Sequence, residues 1–384
     1  VITEYLFSSP QGDISLTPED LSRPFLVAPL KEHPFLTLRD YFHAIEEFIL
    51  KDGGKSLGSA LKKIRENCFR PTGIERMVIR SEKHGAFHHV ASVEIFLHEE
   101  RIKFAVSTAL SEEGRERLAR EFGLLRSLND SLKLPYLPEV HQMGEVIQRA
   151  ESGEVEILAM LLGEWFEDYH EWHFSVDGGR GHQKLCIWDL LDGHRFATLE
   201  EAYQIFHEAS KIVTLYYDTE TFRQIYPWHH GAGDFVVSAG EGRITLRLTT
   251  VRGYRSMMDR LADDPPGPMT ALLYFFLNLT LRMRLDRLDG VGKTVWADDF
   301  AAAAATEGFF QALGIMEAQG RIESGLAGKL LSLLQSFSEE EFGKLLEPLL
   351  VLYQEDDPTD LAVILANRKR HVTLLSRVLQ ALQI

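Results

Sequence analysis

Two adjacent histidines and a downstream carboxylate mark the least generic stretch of this chain. His229 and His230 lie in residues 226–237 (YPWHHGAGDFVV), beside Trp228 and shortly before Asp234. Imidazole titrates near neutrality, so either histidine is a candidate general base. A carboxylate offers the hard oxygen that magnesium prefers, which makes Asp234 a candidate metal ligand. Aromatic and imidazole groups near a carboxylate are also what a binding pocket tends to contain. The plainer reading is structural. Neighbouring side chains diverge unless the loop bends sharply, and Asp234 then becomes a turn residue.

Two other motifs fail on spacing. His170-Glu171-Trp172-His173 puts its histidines three apart, whereas a zinc-protease helix needs them at i and i+4. Gly290-Val291-Gly292-Lys293-Thr294 imitates the end of a P-loop, but Arg287 stands where the motif's first glycine belongs. The segment before it, 281–288, reads as following a helix where a P-loop needs a buried strand, so it is a decoy.

The 384 residues suggest two or three structural units. A formal net charge of −16 repels phosphate backbones and anionic lipid, which argues against nucleic-acid and membrane partners. A local pocket for one small anion remains compatible with it. The two cysteines, Cys68 and Cys186, form no paired motif, so neither a disulfide framework nor a cysteine zinc site is expected. The first residues lack the basic flank and apolar run of a signal peptide. The longest apolar stretch, 269–281, is too short to span a bilayer and reads as a buried helix. These features describe a soluble, cytoplasmic protein.

The elements that must position the chemistry follow from periodicity. Up to about residue 70 the pattern is helical, with Thr37 and Asp40 as a cap and Asp52-Gly53-Gly54 as a break. Residues 73–80, 90–97 and 101–108 read as three antiparallel strands. A helix over 111–128 carries Leu118, Phe122, Leu125 and Leu128 on one face, and residues 155–162 form a buried strand. Thr198 with Glu201 caps a further helix, two short strands flank Gly240, and everything after about residue 254 is helical.

That order of elements resembles the protein-kinase-like fold, in particular its aminoglycoside and choline phosphotransferase branch. The resemblance covers roughly residues 71–290 and rests on order and spacing. It implies an α+β, two-lobed protein: a helical N-terminal extension (1–70), a small β-rich lobe (71–163), a mainly helical lobe (164–300) and a C-terminal helical region (301–384). It also implies ATP and magnesium as cofactors for phosphoryl transfer, a reaction that depends on positioning and charge stabilisation.

Set on the family's catalytic loop, Asp234 falls on the metal-binding Asn and Gly233 on its glycine, while Phe235 and Val236 fall on the apolar pair. The catalytic Asp falls on His229, the loop's leading His on Pro227, and the second metal-binding Asp on Arg247. In the small lobe the phosphate-holding lysine falls on Ser107. Lys103 shares that strand face and is the substitute, with Glu121 as its helix partner. Only Gly85 remains of a glycine-rich loop.

Three altered positions imply a pseudokinase-like protein that binds a nucleotide or small phosphorylated ligand, or that serves as a protein-interaction module through its C-terminal helices. The alternative is an active ATP-dependent phosphotransferase with relocated groups. There Lys103, Glu121 and Arg247 hold phosphates, Asp234 holds the metal, and His229 or His230 is the base.

Overall fold

A computed structural model describes the whole chain except residues 1, 10–11, 29–30, 65–73, 86, 98–99, 151, 179–180, 190–192, 231–232, 241 and 262–266. The protein is mixed α+β and divides into two compact units, residues 1–167 and 168–384.

The first unit runs β1 (Ile2–Phe7), β2 (Ile14–Ser15), α1 (Pro18–Leu21), β3 (Pro24–Ala28), β4 (Lys31–Thr37), α2 (Leu38–Ile64), β5 (Ile74–His84), β6 (His89–Leu97), β7 (Glu100–Ala109), α3 (Glu112–Leu132), β8 (Val140–Arg149) and β9 (Val155–Glu164). Seven strands form one sheet in the order β2-β1-β5-β6-β7-β9-β8. Strand β1 runs parallel to β5 and the other pairs are antiparallel.

Alternation along the strands sorts side chains onto two faces. Met77, Ile79, Val93, Ile95, Phe104, Val106, Met160 and Leu162 join Tyr41, Phe42, Ile45 and Phe48 of α2 in one apolar core. Arg80, Glu82, Ser92, Glu94 and Lys103 occupy the intervening strand positions. Thr37 caps α2 as the sequence suggests, its backbone N–H donating to Asp40 at 2.8 Å. Gly53 and Gly54, at φ +68° and +73°, interrupt the helical geometry where Asp52-Gly53-Gly54 predicts a break.

The region before residue 70 differs from its predicted all-helical character. It contains four strands, and β1 extends the sheet by pairing with β5. That partner lies some 70 residues downstream, so no local periodicity announces the pairing.

The second unit runs β10 (Glu171–Val176), β11 (Gln183–Trp188), β12 (Arg195–Phe196), α4 (Leu199–Leu215), β13 (Arg223–Ile225), β14 (Phe235–Gly240), β15 (Arg243–Leu248), β16 (Tyr254–Ser256), α5 (Met258–Leu261), α6 (Pro268–Arg282), β17 (Leu285–Arg287), a 3-10 turn (Leu288–Gly290), β18 (Thr294–Trp296) and helices α7 (Asp299–Ala318), α8 (Leu326–Ser336), α9 (Glu339–Asp356) and α10 (Pro358–Ala381). The capping box predicted at Thr198–Glu201 is present, and Ser338 with Glu341 forms another at the start of α9. The apolar stretch 269–281 is the buried helix α6.

Three short strands, β16 to β18, interrupt the stretch after residue 254 that the pattern makes wholly helical. The P-loop look-alike is the turn between β17 and β18, and the rejected zinc motif lies at the start of β10. Among the described residues no helix is long and apolar enough to cross a membrane. Cys186 is buried and free; Cys68 lies outside the described residues.

Candidate functional site

The loop bearing His229, His230 and Asp234 is held at both ends by short strand pairs. Strand β13 leads into it and pairs with β16, bringing Ile225 opposite Tyr254. The Tyr226 N–H donates to the Gly253 carbonyl at 3.0 Å. A Cβ on Gly253 would lie 2.6 Å from the Tyr226 carbonyl oxygen, so this approach requires glycine. The preceding residue, Arg252, is thereby delivered to the loop. At the far end the loop passes into the β14–β15 hairpin, where Thr249 donates from its N–H to the Asp234 carbonyl and from Oγ1 to the Gly233 carbonyl.

Asp234 is buried at 1% exposure. Its Oδ1 accepts from Arg252 Nη2 at 2.5 Å and Nε at 3.1 Å, and its Oδ2 accepts from the His229 backbone N–H at 2.8 Å. Burial raises the carboxyl's pKa, against the pull of the Arg252 charge and of the two sets of hydrogen bonds. Both carboxylate oxygens are therefore engaged within the protein.

The histidine rings are poorly suited to act as bases. Burial, then the charges of Arg282, Arg287 and Arg252, lowers the His229 imidazole to about 3. His230 is 1% exposed and stacks on Trp172 with centroids 4.8 Å apart, with Phe206, Trp228 and Phe235 also around it. Neither His230 ring nitrogen has a hydrogen-bond partner among the described residues. Burial holds this ring well below the usual histidine range. A base so weak takes few protons at neutral pH. Arg247 sits on β15 opposite Val236, its guanidinium 5.8 Å from the centroid of the Tyr169 ring. The guanidinium on Asp234 is that of Arg252, five positions beyond the family spacing.

Lys103 belongs to the first unit, on β7. Its Nζ lies 3.6 Å from Glu94, 3.7 Å from Glu82 and 4.2 Å from the centroid of the Trp165 ring. Arg80 joins the cluster through Glu94 at 2.9 Å and through Asp13 at 2.6 Å. The expected partner Glu121 stands on α3, whereas the carboxylates that meet Lys103 come from β5 and β6. The reason is register: Glu94 lies directly opposite Lys103 on the neighbouring strand, and cross-strand charges interact at that distance.

The hairpin tip that retains Gly85 is tied down. His88 Nε2 lies 3.2 Å from the Gly114 carbonyl, and the Arg117 guanidinium sits 3.9 Å from the centroid of the Phe87 ring.

A divalent metal does not fit the residues at the loop. Asp234 is already neutralised by a guanidinium, and among the described residues no group of three His, Cys, Asp or Glu side chains is arranged to hold a metal. Residues outside the motif hold the loop from beneath. Arg282 donates to the Trp228 carbonyl at 2.8 Å and to Asp360 at 3.1 Å. No local signal marks Asp360, which acts far from the loop in sequence. Arg252 carries a weak one, an arginine followed by glycine just past the hairpin. Comparison with protein-family models gives no match, and comparison with curated proteins gives none either.

Proposed function

We propose that the chain is a catalytically degenerate, kinase-like protein related to the small-molecule phosphotransferases, which binds a ligand or partner without transferring phosphate. In this reading the first unit is the small lobe and the second the large lobe. The ligand is a nucleotide or another small anion, with the C-terminal helices available to a protein partner and the cytoplasm as its location. Support comes from chain order: β5, β6, β7, β8 and β9 within one sheet, with α3 between β7 and β8, then α4, β13, the loop and the β14–β15 hairpin.

One observation carries the loss of catalysis. The Asp234 carboxylate is spent on Arg252 and on the His229 amide. Phosphoryl transfer of this kind relies on metal ions to bridge and neutralise the phosphates. A guanidinium seated on the candidate metal-binding carboxylate opposes a divalent cation there. The loop histidines, kept neutral by burial, do not replace a catalytic carboxylate.

Thermal melts with ATP and with GTP, each with and without magnesium or manganese, test this reading, because a ligand specific to the native state raises the melting temperature. Any nucleotide-induced shift is expected to be independent of metal and unchanged in Asp234→Ala relative to that variant's own baseline. A magnesium-dependent ATP shift abolished by Asp234→Ala would instead establish the active phosphotransferase.

A further inference from the structure

Arginines beside the histidine loop are matched by the acidic junction of α9 and α10. Arg260 Nη2 lies 2.6 Å from Glu355, and its Nη1 lies 2.8 Å from Asp356. Arg287 Nη2 lies 3.1 Å from Asp357 and 3.5 Å from Asp360, and Arg282 meets Asp360 at 3.1 Å. One short stretch, 355–360, thus sets its carboxylates on all three guanidinium groups.

The same arginines border the loop. Arg282 donates to the Trp228 carbonyl at 2.8 Å. The charges of Arg282, Arg287 and Arg252 act on the His229 ring, and that of Asp357 opposes them. Tyr226, at the loop's start, donates to Asp356 at 3.4 Å and has the Arg255 guanidinium 5.3 Å from its ring centroid.

Depth divides these contacts into two kinds. Arg282 and Asp360 are buried, so their pair anchors the junction. The side chains of Arg260, Asp356, Arg287 and Asp357 are each 27–33% exposed. Partly exposed pairs are screened and contribute little, so the outer contacts can exchange while the anchor holds.

We infer that residues 355–357 form an autoinhibitory latch: their carboxylates stand in for an oxyanion on Arg260 and Arg287, and a phosphate-bearing anion displaces them. This deepens the small-anion reading above and rests on it. A guanidinium fork takes carboxylate and phosphate in the same paired geometry, and phosphate brings the larger charge. The chain as a whole carries −16 and repels anions. Attraction therefore depends on the local field of these arginines, which the latch cancels.

The experiment uses the full chain at pH 7.5 and 0.1 M salt. Pyrophosphate without added metal is titrated calorimetrically into wild type, Asp356→Asn/Asp357→Asn and Glu339→Gln/Glu340→Gln. Asp357 caps α10 by accepting from the Thr359 and Asp360 N–H groups, and asparagine caps equally well. The second variant removes the same charge about 24 Å away along α9, beyond the screening length of about 10 Å. The latch variant is expected to bind at least tenfold more tightly than wild type, and the control to differ from it by less than threefold. In wild type, saturating pyrophosphate should speed amide hydrogen exchange at 355–360.

Equal affinity in wild type and latch variant, equal gains in the two variants, or unchanged exchange at 355–360 overturns the latch. Absence of pyrophosphate binding in all three proteins removes the small-anion reading and the latch together. A nucleotide-induced melting shift without any gain in the latch variant removes the latch alone.

Discussion

Arg282, at the end of α6, meets Asp360, in the first turn of α10, at 3.1 Å with both side chains nearly or fully buried. The same guanidinium holds the Trp228 carbonyl at 2.8 Å. The last helix is thus bonded, through one arginine, to the loop that carries His229 and Asp234.

Removing one partner of that pair leaves a buried charge uncompensated. Asp360→Ala is expected to cost about 3–5 kcal/mol, whereas replacing both residues by well-packed apolar ones should cost much less. Urea unfolding of the two single variants and of the double variant measures the difference. A loss in the double variant equal to the sum of the two single losses would mean that the pair is not coupled.

Arg252 is half-exposed, so its contribution is smaller than that of a buried pair. Arg252→Ala leaves Asp234 with only the His229 amide and should lower stability by about 1–3 kcal/mol. Arg252→Lys should recover part of this, because it keeps the charge but loses the paired N–H donors. The ordering Arg, Lys, Ala in thermal melts is the check.

Helices α4 and α7 approach so closely that a Cβ on Gly308 would lie 2.2 Å from the His207 carbonyl oxygen. Gly308→Ala should therefore cost about 1–3 kcal/mol by forcing the helices apart. Gly314, on the same helix α7, has open space around its Cβ position. Gly314→Ala should be neutral or stabilise by up to about 1 kcal/mol. Denaturant midpoints of the two variants should move in different directions.

His371 is fully buried, with Nε2 3.3 Å from Thr280 Oγ1, and burial lowers it to about 3. In the unfolded chain it titrates near 6.5, so below that pH the unfolded state binds the extra proton. Its contribution to stability is complete above about 6.5 and is lost as the pH falls toward 3, by about 1.4 kcal/mol per pH unit. His89 and His229, also lowered to about 3, add to the same slope. Unfolding free energies at pH 7 and pH 5 should show this loss. His371→Gln should reduce the slope by close to one proton.

Local patterns were sufficient for the α+β class, the three strands β5 to β7, the capped starts of α2, α4 and α9, and the buried run of α6. Each depends on neighbours within a few positions: alternation, 3.6-residue periodicity, or a hydroxyl and a carboxylate three residues apart. The loop around Trp228 also stood out, because its aromatic and imidazole composition is visible in one short window.

Tertiary structure alone decided what those residues meet. Arg252 rather than Arg247 reaches Asp234, because β13 and β16 pair across the intervening hairpin. Lys103 meets Glu82 and Glu94 rather than Glu121, because strand register sets which charges lie opposite one another. Strand β1 and the Arg282–Asp360 pair are equally non-local. Such contacts depend on how distant segments come together, and a one-dimensional pattern carries no term for that.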